Sequence, residues 1–494
     1  MQPSAFAPSS TLTSCQQSAF DVMAREGNVF LTGAAGTGKS YLLEQYLHRK
    51  PSDAFPVVAS TGAAAVIIGG RTFHSFFGLG IMEGGIDATV ARAMRSRRLT
   101  DRLQRACCVI IDEVSMLSGT TMMVAEMIAR KARNSGLPWG GLRIIAVGDF
   151  AQLPPVTPGM QQKDWAFLHN VWRESAFQPA LLSTVMRTQD SDFLDILNFV
   201  RAGIVNDEVR KFLDDRMAQP SQHMEGTRLY PHRVKADTYN LQRLHGIEGP
   251  MRSFETLYEG DARAVEAAKR SLPIGDRLML KDGALVMLRK NDVSNEQLYV
   301  NGSLGHIQSI TEDTLYIKLL TGASIEVVKQ KFTCLNGDGQ EVAAAWNFPV
   351  SLAWATTIHK AQGASLDCMI VDLSALWEPG QAYVALSRVR STQGLFIERW
   401  NPSSIRAEPV VTAFYDGMAQ EMKSYTPRPL FLPQMLDRPE EEVAHTEVRR
   451  SPGRVRQRRA ELIQRMIGKQ ASLEEITAAC GVKADRVLLY IEDF

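Results

Sequence analysis

Gly33-Ala-Ala-Gly-Thr-Gly-Lys-Ser40 follows the apolar run Asn28–Thr32 and opens into a helical pattern over Ser40–His48. It matches G-x-x-x-x-G-K-[ST] in full, and a strand before with a helix after is the context a phosphate-binding loop needs. Gly33, Gly36 and Gly38, with Thr37 between the last two, let backbone N–H groups wrap phosphates, and the helix N-terminus adds positive potential. Lys39 is placed to reach the β- and γ-phosphates, and the Ser40 hydroxyl to ligate magnesium. The expected ligands are therefore ATP and Mg2+. A glycine-rich turn without function is the bland alternative, and the flanking strand and helix argue against it.

Outward from this loop, Pro56–Ser60, Cys107–Ile111 and Arg143–Val147 are short apolar runs that read as buried parallel strands. Helical patterns such as Thr121–Arg133 lie between them, so the expected class is α/β with a parallel sheet. After about residue 178 the pattern restarts: Asp192–Ala202 reads as helix, Thr227–Tyr230 as strand and Val234–Leu244 as helix. From 277 to 346 short strand-like runs separated by Gly, Asn and Asp suggest a small antiparallel barrel or sandwich inserted in the second α/β unit. Cys368–Val371 reads as strand again and Ala382–Arg388 as helix. Residues 425–459 hold five prolines and many charges and read as a linker. In the tail, Ser472-Leu-Glu-Glu475 fits a capping box, and the pattern suits either a helix-turn-helix or a plain helical hairpin.

The 494 residues exceed one compact domain, and 45% hydrophobic with 22% charged residues is ordinary for a globular protein. Lys+Arg total 55 against 54 Asp+Glu, a net charge of +1, which excludes a basic coat but allows a local basic groove. Six arginines crowd Arg449–Arg459. Six cysteines without a C-x-x-C pair argue against a zinc site and for a reducing compartment. The first 23 residues carry no Lys or Arg, and no run suits a membrane span. A cytoplasmic protein, bacterial or phage-type and nucleoid-associated, with no membrane partner, is the expectation.

Three further patterns carry chemistry. Ile110-Ile-Asp-Glu-Val114 ends an apolar run with two carboxylates; downstream of a phosphate loop, Asp112 suits magnesium and Glu113 the attacking water. Gly148-Asp-Phe-Ala-Gln-Leu-Pro-Pro155 could set Gln152 against the γ-phosphate, or be an ordinary proline-rich turn. Arg187 and Arg388 are candidates for stabilising charge from the second unit, although spacing alone favours surface or ion-pair arginines.

In their order these motifs resemble superfamily 1B DNA helicases of the Pif (petite integration frequency) family, with RecD-like helicases as relatives, over about residues 12–400. Leu12-Thr-Ser-Cys-Gln-Gln17 looks like the adenine-reading Q motif, with its glutamine at Gln16 and Cys15 where the family usually has Glu. Thr61-Gly-Ala-Ala-Ala65 and Arg71-Thr-Phe-His-Ser-Phe76 resemble a DNA-contacting region, which implies DNA roles for Thr61, His74 and Ser75. Val300-Asn-Gly-Ser-Leu-Gly305 adds Asn301. Ala355-Thr-Thr-Ile-His-Lys-Ala-Gln-Gly363 and Gln381-Ala-Tyr-Val-Ala-Leu-Ser-Arg388 resemble motifs V and VI. The resemblance assigns His359 and Lys360 to DNA, Gln362 and Gly363 to the nucleotide, and Arg388 as arginine finger.

The resemblance also implies two RecA-like domains, at 1–178 and at 179–276 with 347–424. A wedge insertion would occupy about 78–104, and a Src-homology-three-like barrel 277–346. A linker (425–459) and a helix-turn-helix-like unit (460–494) would follow. Arg95, Arg97, Arg98, Arg102 and Arg105 suit a DNA-facing wedge or a solvated helix face. Phe73, Phe76 and Phe77 are candidates for stacking on bases, with a core role favoured for at least two of them.

The implied activity is an ATP hydrolase and helicase moving 5′→3′ on single-stranded DNA, acting at single-strand/duplex junctions in replication, repair or recombination. A monomer is expected, with a protein partner conceivable through the tail. A phosphate-loop switch or scaffold that binds without unwinding, and an RNA helicase or translocase, are the competing readings. Single-stranded DNA is expected to stimulate ATP hydrolysis strongly, and Lys39→Ala to abolish it, in a steady-state phosphate-release assay; hydrolysis indifferent to DNA would favour the switch or scaffold.

Overall fold

The computed structural model describes residues 12–423 except 49, 68–69, 81, 83, 156–161, 189, 218–225, 273, 291, 293–297, 300, 337 and 339. These fall in one compact unit, Met1–Met435; the second unit, Leu436–Phe494, lies outside the described residues. The linker, the Arg449–Arg459 run and the helical tail read from the sequence are therefore not described.

Six strands make the first sheet: β1 (Val29–Gly33), β2 (Val57–Ala59), β3 (Arg71–Thr72), β4 (Cys108–Asp112), β5 (Arg143–Gly148) and β6 (Gln178–Leu182). Their order is β3-β2-β4-β5-β1-β6, and every pair is parallel. Side chains alternate between two cores. Phe30, Val109, Ile111, Ile144 and Ala146 enter one; Val29, Leu31, Cys108, Ile110, Ile145 and Val147 enter the other. A sheet covered on both faces has no polar side, which is why these strands read as continuous apolar runs.

β7 (Thr227–Tyr230) is the first strand of the second domain, whose core already takes Phe193 and Val200 from the helix Ser191–Arg201. The inserted module follows, with β8 (Arg252–Glu255), β9 (Leu257–Gly260), β10 (Arg277–Leu280), β11 (Leu285–Leu288), β12 (Leu304–Ile310), β13 (Thr314–Leu319), β14 (Ser324–Val328), β15 (Gln330–Leu335), β16 (Glu341–Asn347) and β17 (Val350–Leu352). The second domain resumes with β18 (Ala355–Thr357), β19 (Met369–Leu373) and β20 (Leu395–Trp400), giving a parallel sheet β18-β7-β19-β20. The module pairs antiparallel throughout, as β14-β13-β12-β11-β17, β15-β16-β9 and β10-β8. Leu285–Leu288, Ile307 and Ile317 share one core with Leu229 and Val371, so the module is fused to the second domain by common packing.

Three boundaries drawn from sequence move. The edge at 178 falls at the start of β6, which pairs with β1 and so belongs to the first sheet. The module begins at Arg252 and ends at Leu352, because β8, β9 and β17 pair with strands inside it. Strongly exposed residues on β8 and β9 hid them.

The segment 409–423 also leaves the second domain. The helix Pro409–Lys423 packs Val411 and Met418 into the first domain's core. Its Phe414 ring stacks on Phe167 at 4.5 Å and meets Phe150 edge-on at 5.5 Å.

The wedge region forms two helices, Gly85–Met94 and Arg97–Arg105. Arg95, Arg97, Arg98 and Arg105 are exposed, as a DNA-facing or solvated surface requires. Arg102 corrects that reading. It is buried, donates to Phe76 O (2.8 Å) and Ser75 O (3.1 Å), and pairs with Asp338 of the module at 2.7 Å. Phe73, Phe76 and Phe77 are all core residues.

No metal cluster of His, Cys, Asp and Glu occurs among the described residues, and no helix among them is long and apolar enough to cross a membrane. Phe414→Ala is expected to destabilise the first domain by about 3 kcal/mol, read as an earlier urea transition, because it opens a cavity against Phe150, Phe167 and Trp172.

Candidate active site

Gly33, Asp112 and Gly148 close the carboxyl ends of β1, β4 and β5, which are neighbours in the sheet. Ligands bind at this edge in open α/β sheets, because the loops there converge. Gly36 and Gly38 take φ of 81° and 85°, a left-handed backbone that favours glycine. A Cβ on Gly36 would also stand 2.6 Å from the Arg187 Cβ, so the loop touches the opposite domain directly.

The loop borders a cleft of about 560 Å³ lined from both domains. Gly36, Gly38, Lys39, Ser40, Glu113 and Gln152 come from the first; Arg187, Gly363 and Arg388 come from the second. Lys39 Nζ donates to Gly33 O (2.8 Å) and Ala34 O (3.1 Å). Burial lowers its pKa, opposed by Asp149, Glu113 and Asp112.

Burial raises the pKa of both Asp112 and Glu113, and for Glu113 the Asp112 charge adds to the rise. Glu113 N donates to Asp112 Oδ1 at 3.0 Å, and the Glu113 backbone is left-handed at φ 50°. That conformation costs about 1–3 kcal/mol in a non-glycine residue and persists only where neighbours impose it. The Glu113 carboxylate accepts from Gln362 Nε2 at 3.1 Å, which reaches it from the second domain.

Arg388 is buried; its Nε donates to Val384 O and its Nη2 to Ser387 Oγ, both at 2.8 Å. Arg187 donates from Nε to Ser365 Oγ (3.0 Å) and from Nη1 to Ser387 O (2.5 Å). Desolvation pushes Arg187 down to about 9, with Arg388 adding to the fall, and lowers Arg388 also. Neither forms a salt bridge with a carboxylate among the described residues. Two desolvated guanidiniums and an ammonium facing a phosphate loop suit a polyanion. Two desolvated carboxylates with raised pKa suit a cation beside it. The donor set thus fits a magnesium–nucleotide.

Asp149, quoted in its motif but not singled out, proves central. Its carboxylate is fully buried; Oδ1 accepts from Arg201 (2.8 Å), Tyr415 OH (3.0 Å) and Ala151 N (3.1 Å). Oδ2 accepts from Gln152 Nε2 at 3.4 Å. Arg201, with other charges and hydrogen bonds, outweighs burial and lowers the Asp149 pKa. A carboxylate ending the strand next to the phosphate loop was the available signal. Tyr383, whose OH accepts from Ala35 N at 2.8 Å, gave none.

Gln16 sits under the loop. It accepts from Thr13 N (3.1 Å) and donates to Thr37 O (3.3 Å), so its amide ties the cap of its own helix to the loop. The DNA candidates lie on four separate segments. Thr61 Oγ1 accepts from Ala64 N, burial lowers the His74 pKa, and Ser75 O receives Arg102. Asn301 belongs to a turn whose Gly302 lies against Ala364, beside Gly363. His359 and Lys360 are exposed just beyond β18.

The family model described as PIF1-like helicase matches residues 11–211. The chain is 48% identical over 400 residues to ATP-dependent DNA helicase Pif1 of Bdellovibrio bacteriovorus, covering 81% of this chain and 90% of that one. It is 37% identical to ATP-dependent DNA helicase PIF1 of Xenopus laevis over 80% of this chain, and spans 62% of that relative. Among solved structures it is similar to Bacteroides sp Pif1 in complex with ADP-AlF4, with TM-score 0.73, 27% identity, and 85% and 100% of the two chains covered. The ssDNA-bound form of Bacteroides Pif1 matches with TM-score 0.59 and 25% identity over 85% and 100%.

Gly380 packs against this site with φ 76°, and a Cβ there would stand 2.4 Å from Gln152 O and 2.5 Å from Ala151 O. Gly380→Ala is expected to hold the domains apart at Gln152 and slow ATP hydrolysis roughly 10²-fold with nucleotide affinity nearly kept, because small misplacements of reacting groups are costly; parallel turnover and nucleotide-binding assays read it.

Proposed function

The chain belongs to the Pif1 family of ATP-dependent DNA helicases, and we propose that it is a 5′→3′ motor on single-stranded DNA that separates duplex at junctions. The observation that carries this reading is the cleft itself. Lys39 and Glu113 face Arg187 and Arg388 across it, and Gln362 already bonds Glu113 at 3.1 Å.

Lys39 exchanges its carbonyl partners Gly33 and Ala34 for the β- and γ-phosphates. The N–H groups over Gly33–Ser40, with Gln16 bracing Thr37, hold the phosphate chain, and Gly363 lines the opposite wall. Ser40 and Asp112 would hold magnesium, which when bound neutralises charge developing on the phosphates. Glu113 accepts the proton of the attacking water, and Gln362 keeps its carboxylate aimed. Gln152, tethered to Asp149, faces the terminal phosphate. Arg187 and Arg388 supply positive charge from the second domain, so closure of the cleft and activation coincide.

DNA contacts fall to Thr61, His74 and Ser75 on the first domain, Asn301 on the module, and His359 and Lys360 on the second domain. Contacts to phosphates grip without reading sequence. Opening and closing the cleft then alternates which domain grips. The direction of movement is taken from the family resemblance. We place the work of this motor in replication, repair and recombination, as a monomer in the bacterial cytoplasm, with the tail as its route to a protein partner.

A 5′-tailed duplex is expected to be unwound and a 3′-tailed duplex left intact in a strand-displacement assay with ATP and magnesium. Arg388→Ala is expected to lower DNA-stimulated hydrolysis about 10³-fold with nucleotide binding kept. Equal unwinding of both tails, or of neither, would overturn the directional motor.

A further inference from the structure

A sequence-independent grip on single strands commonly uses aromatic rings as shelves for bases. Phe73, Phe76 and Phe77 cannot serve, being 0%, 1% and 0% exposed. Only four Phe, Tyr or Trp side chains among the described residues are well exposed: Tyr41, Tyr316, Trp346 and Trp377. Tyr41 lies in the nucleotide cleft. Tyr316 and Trp346 lie on β13 and β16 of the inserted module. Trp377 stands on the second domain, 43% exposed.

A single exposed apolar side chain is ordinary; the way Trp377 is held is not. Its ring lies on the His232 imidazole, centroids 4.7 Å apart and planes within 12°. Its backbone is anchored on both sides. Trp377 N and Glu378 N donate to the same oxygen of the buried Gln381, at 3.3 and 3.4 Å, and Arg406 donates to Trp377 O. Glu378 is tied in turn to Lys163 of the first domain at 2.8 Å. An indole on such a mount loses little entropy when a flat partner settles on it.

Its place is equally specific. His232 follows β7, Trp377 follows β19, and His359 and Lys360 follow β18. These are neighbouring parallel strands, so the residues stand along one carboxyl edge. Lys360 is close enough to Arg233 and Arg289 that their charges, after desolvation, lower its pKa. Cations for phosphates and a flat ring for bases thus share one edge, at the seam marked by the Lys163–Glu378 pair.

We propose that Trp377, backed by His232, is a base-stacking platform for single-stranded DNA at the seam between the two domains. The proposal rests on the motor reading above. Phosphate contacts alone would let the strand slide freely along a uniform charge. A ring stacked on one base adds a step in the energy once per nucleotide, without preference among bases.

The test compares the full chain with Trp377→Ala and Trp377→Phe. Fluorescence anisotropy measures binding to an oligothymidylate and to an oligomer of the same length with abasic units. Trp377→Ala is expected to bind oligothymidylate about tenfold more weakly, within the range for losing one stacked base. Its affinity for the abasic strand and its salt dependence stay as in the parent, and Trp377→Phe recovers most of the loss. Unchanged oligothymidylate affinity in Trp377→Ala, or equal weakening on both strands, would overturn the platform while leaving the motor standing. A parent chain that binds neither strand would overturn the motor reading, and the platform with it.

Discussion

The Asp149 carboxylate has no exposed surface, and a charge so placed would cost several kcal/mol if it were alone. Arg201 removes that cost by crossing from the second domain to within 2.8 Å of it. Breaking such a pair by losing one partner typically costs about 3–5 kcal/mol, so the domains are held in the arrangement that keeps it. In that arrangement Gln152 is oriented by Asp149, Tyr383 receives Ala35 N, and Gln362 meets Glu113. The site is therefore a consequence of charge balance across the seam. Lys39, Arg187 and Arg388 bond no carboxylate among the described residues, and they line the same cleft.

The chemistry was legible where one segment carries it. The phosphate loop, the Asp112-Glu113 strand end and the Gln362 and Arg388 segments all line or touch the cleft, because spacing within a strand-loop-helix unit determines where its side chains go. The parallel strands were legible because burial on both faces leaves an unbroken apolar signature. What was hidden depends on partners distant in sequence. β6 extends the first sheet through pairing with β1, 145 residues or more away in the chain, and a five-residue run gives no sign of its neighbour. β8 and β9 are too exposed to show a pattern. Arg102 reads as one of five basic residues on a helix until Asp338 is seen against it.

Aromatic residues show the same limit from the other side. Three phenylalanines close together offer a surface for bases, but a core role is favoured for at least two of them, and all three fill the first domain's core. Trp377 stands in the short connection 374–380 with no other aromatic beside it in the chain and looks incidental. Its significance comes from His232, which lies far back in the chain and is brought alongside by adjacent strands. Exposure is a property of the assembled fold, and local composition carries little of it.

The return of the helix Pro409–Lys423 to the first domain has a mechanical meaning. The chain leaves that domain after Leu182 and comes back before Pro409, so two covalent straps join the bodies. A single strap acts as a swivel, free about every axis. Two straps act as a door hinge: rotation about the line through both is easy, and twisting out of that line stretches one of them. Whatever free energy the cleft releases or absorbs is thereby channelled into one rotational coordinate. Tyr415, bonded to Asp149 beside the second strap, ties that pivot to the charged seam.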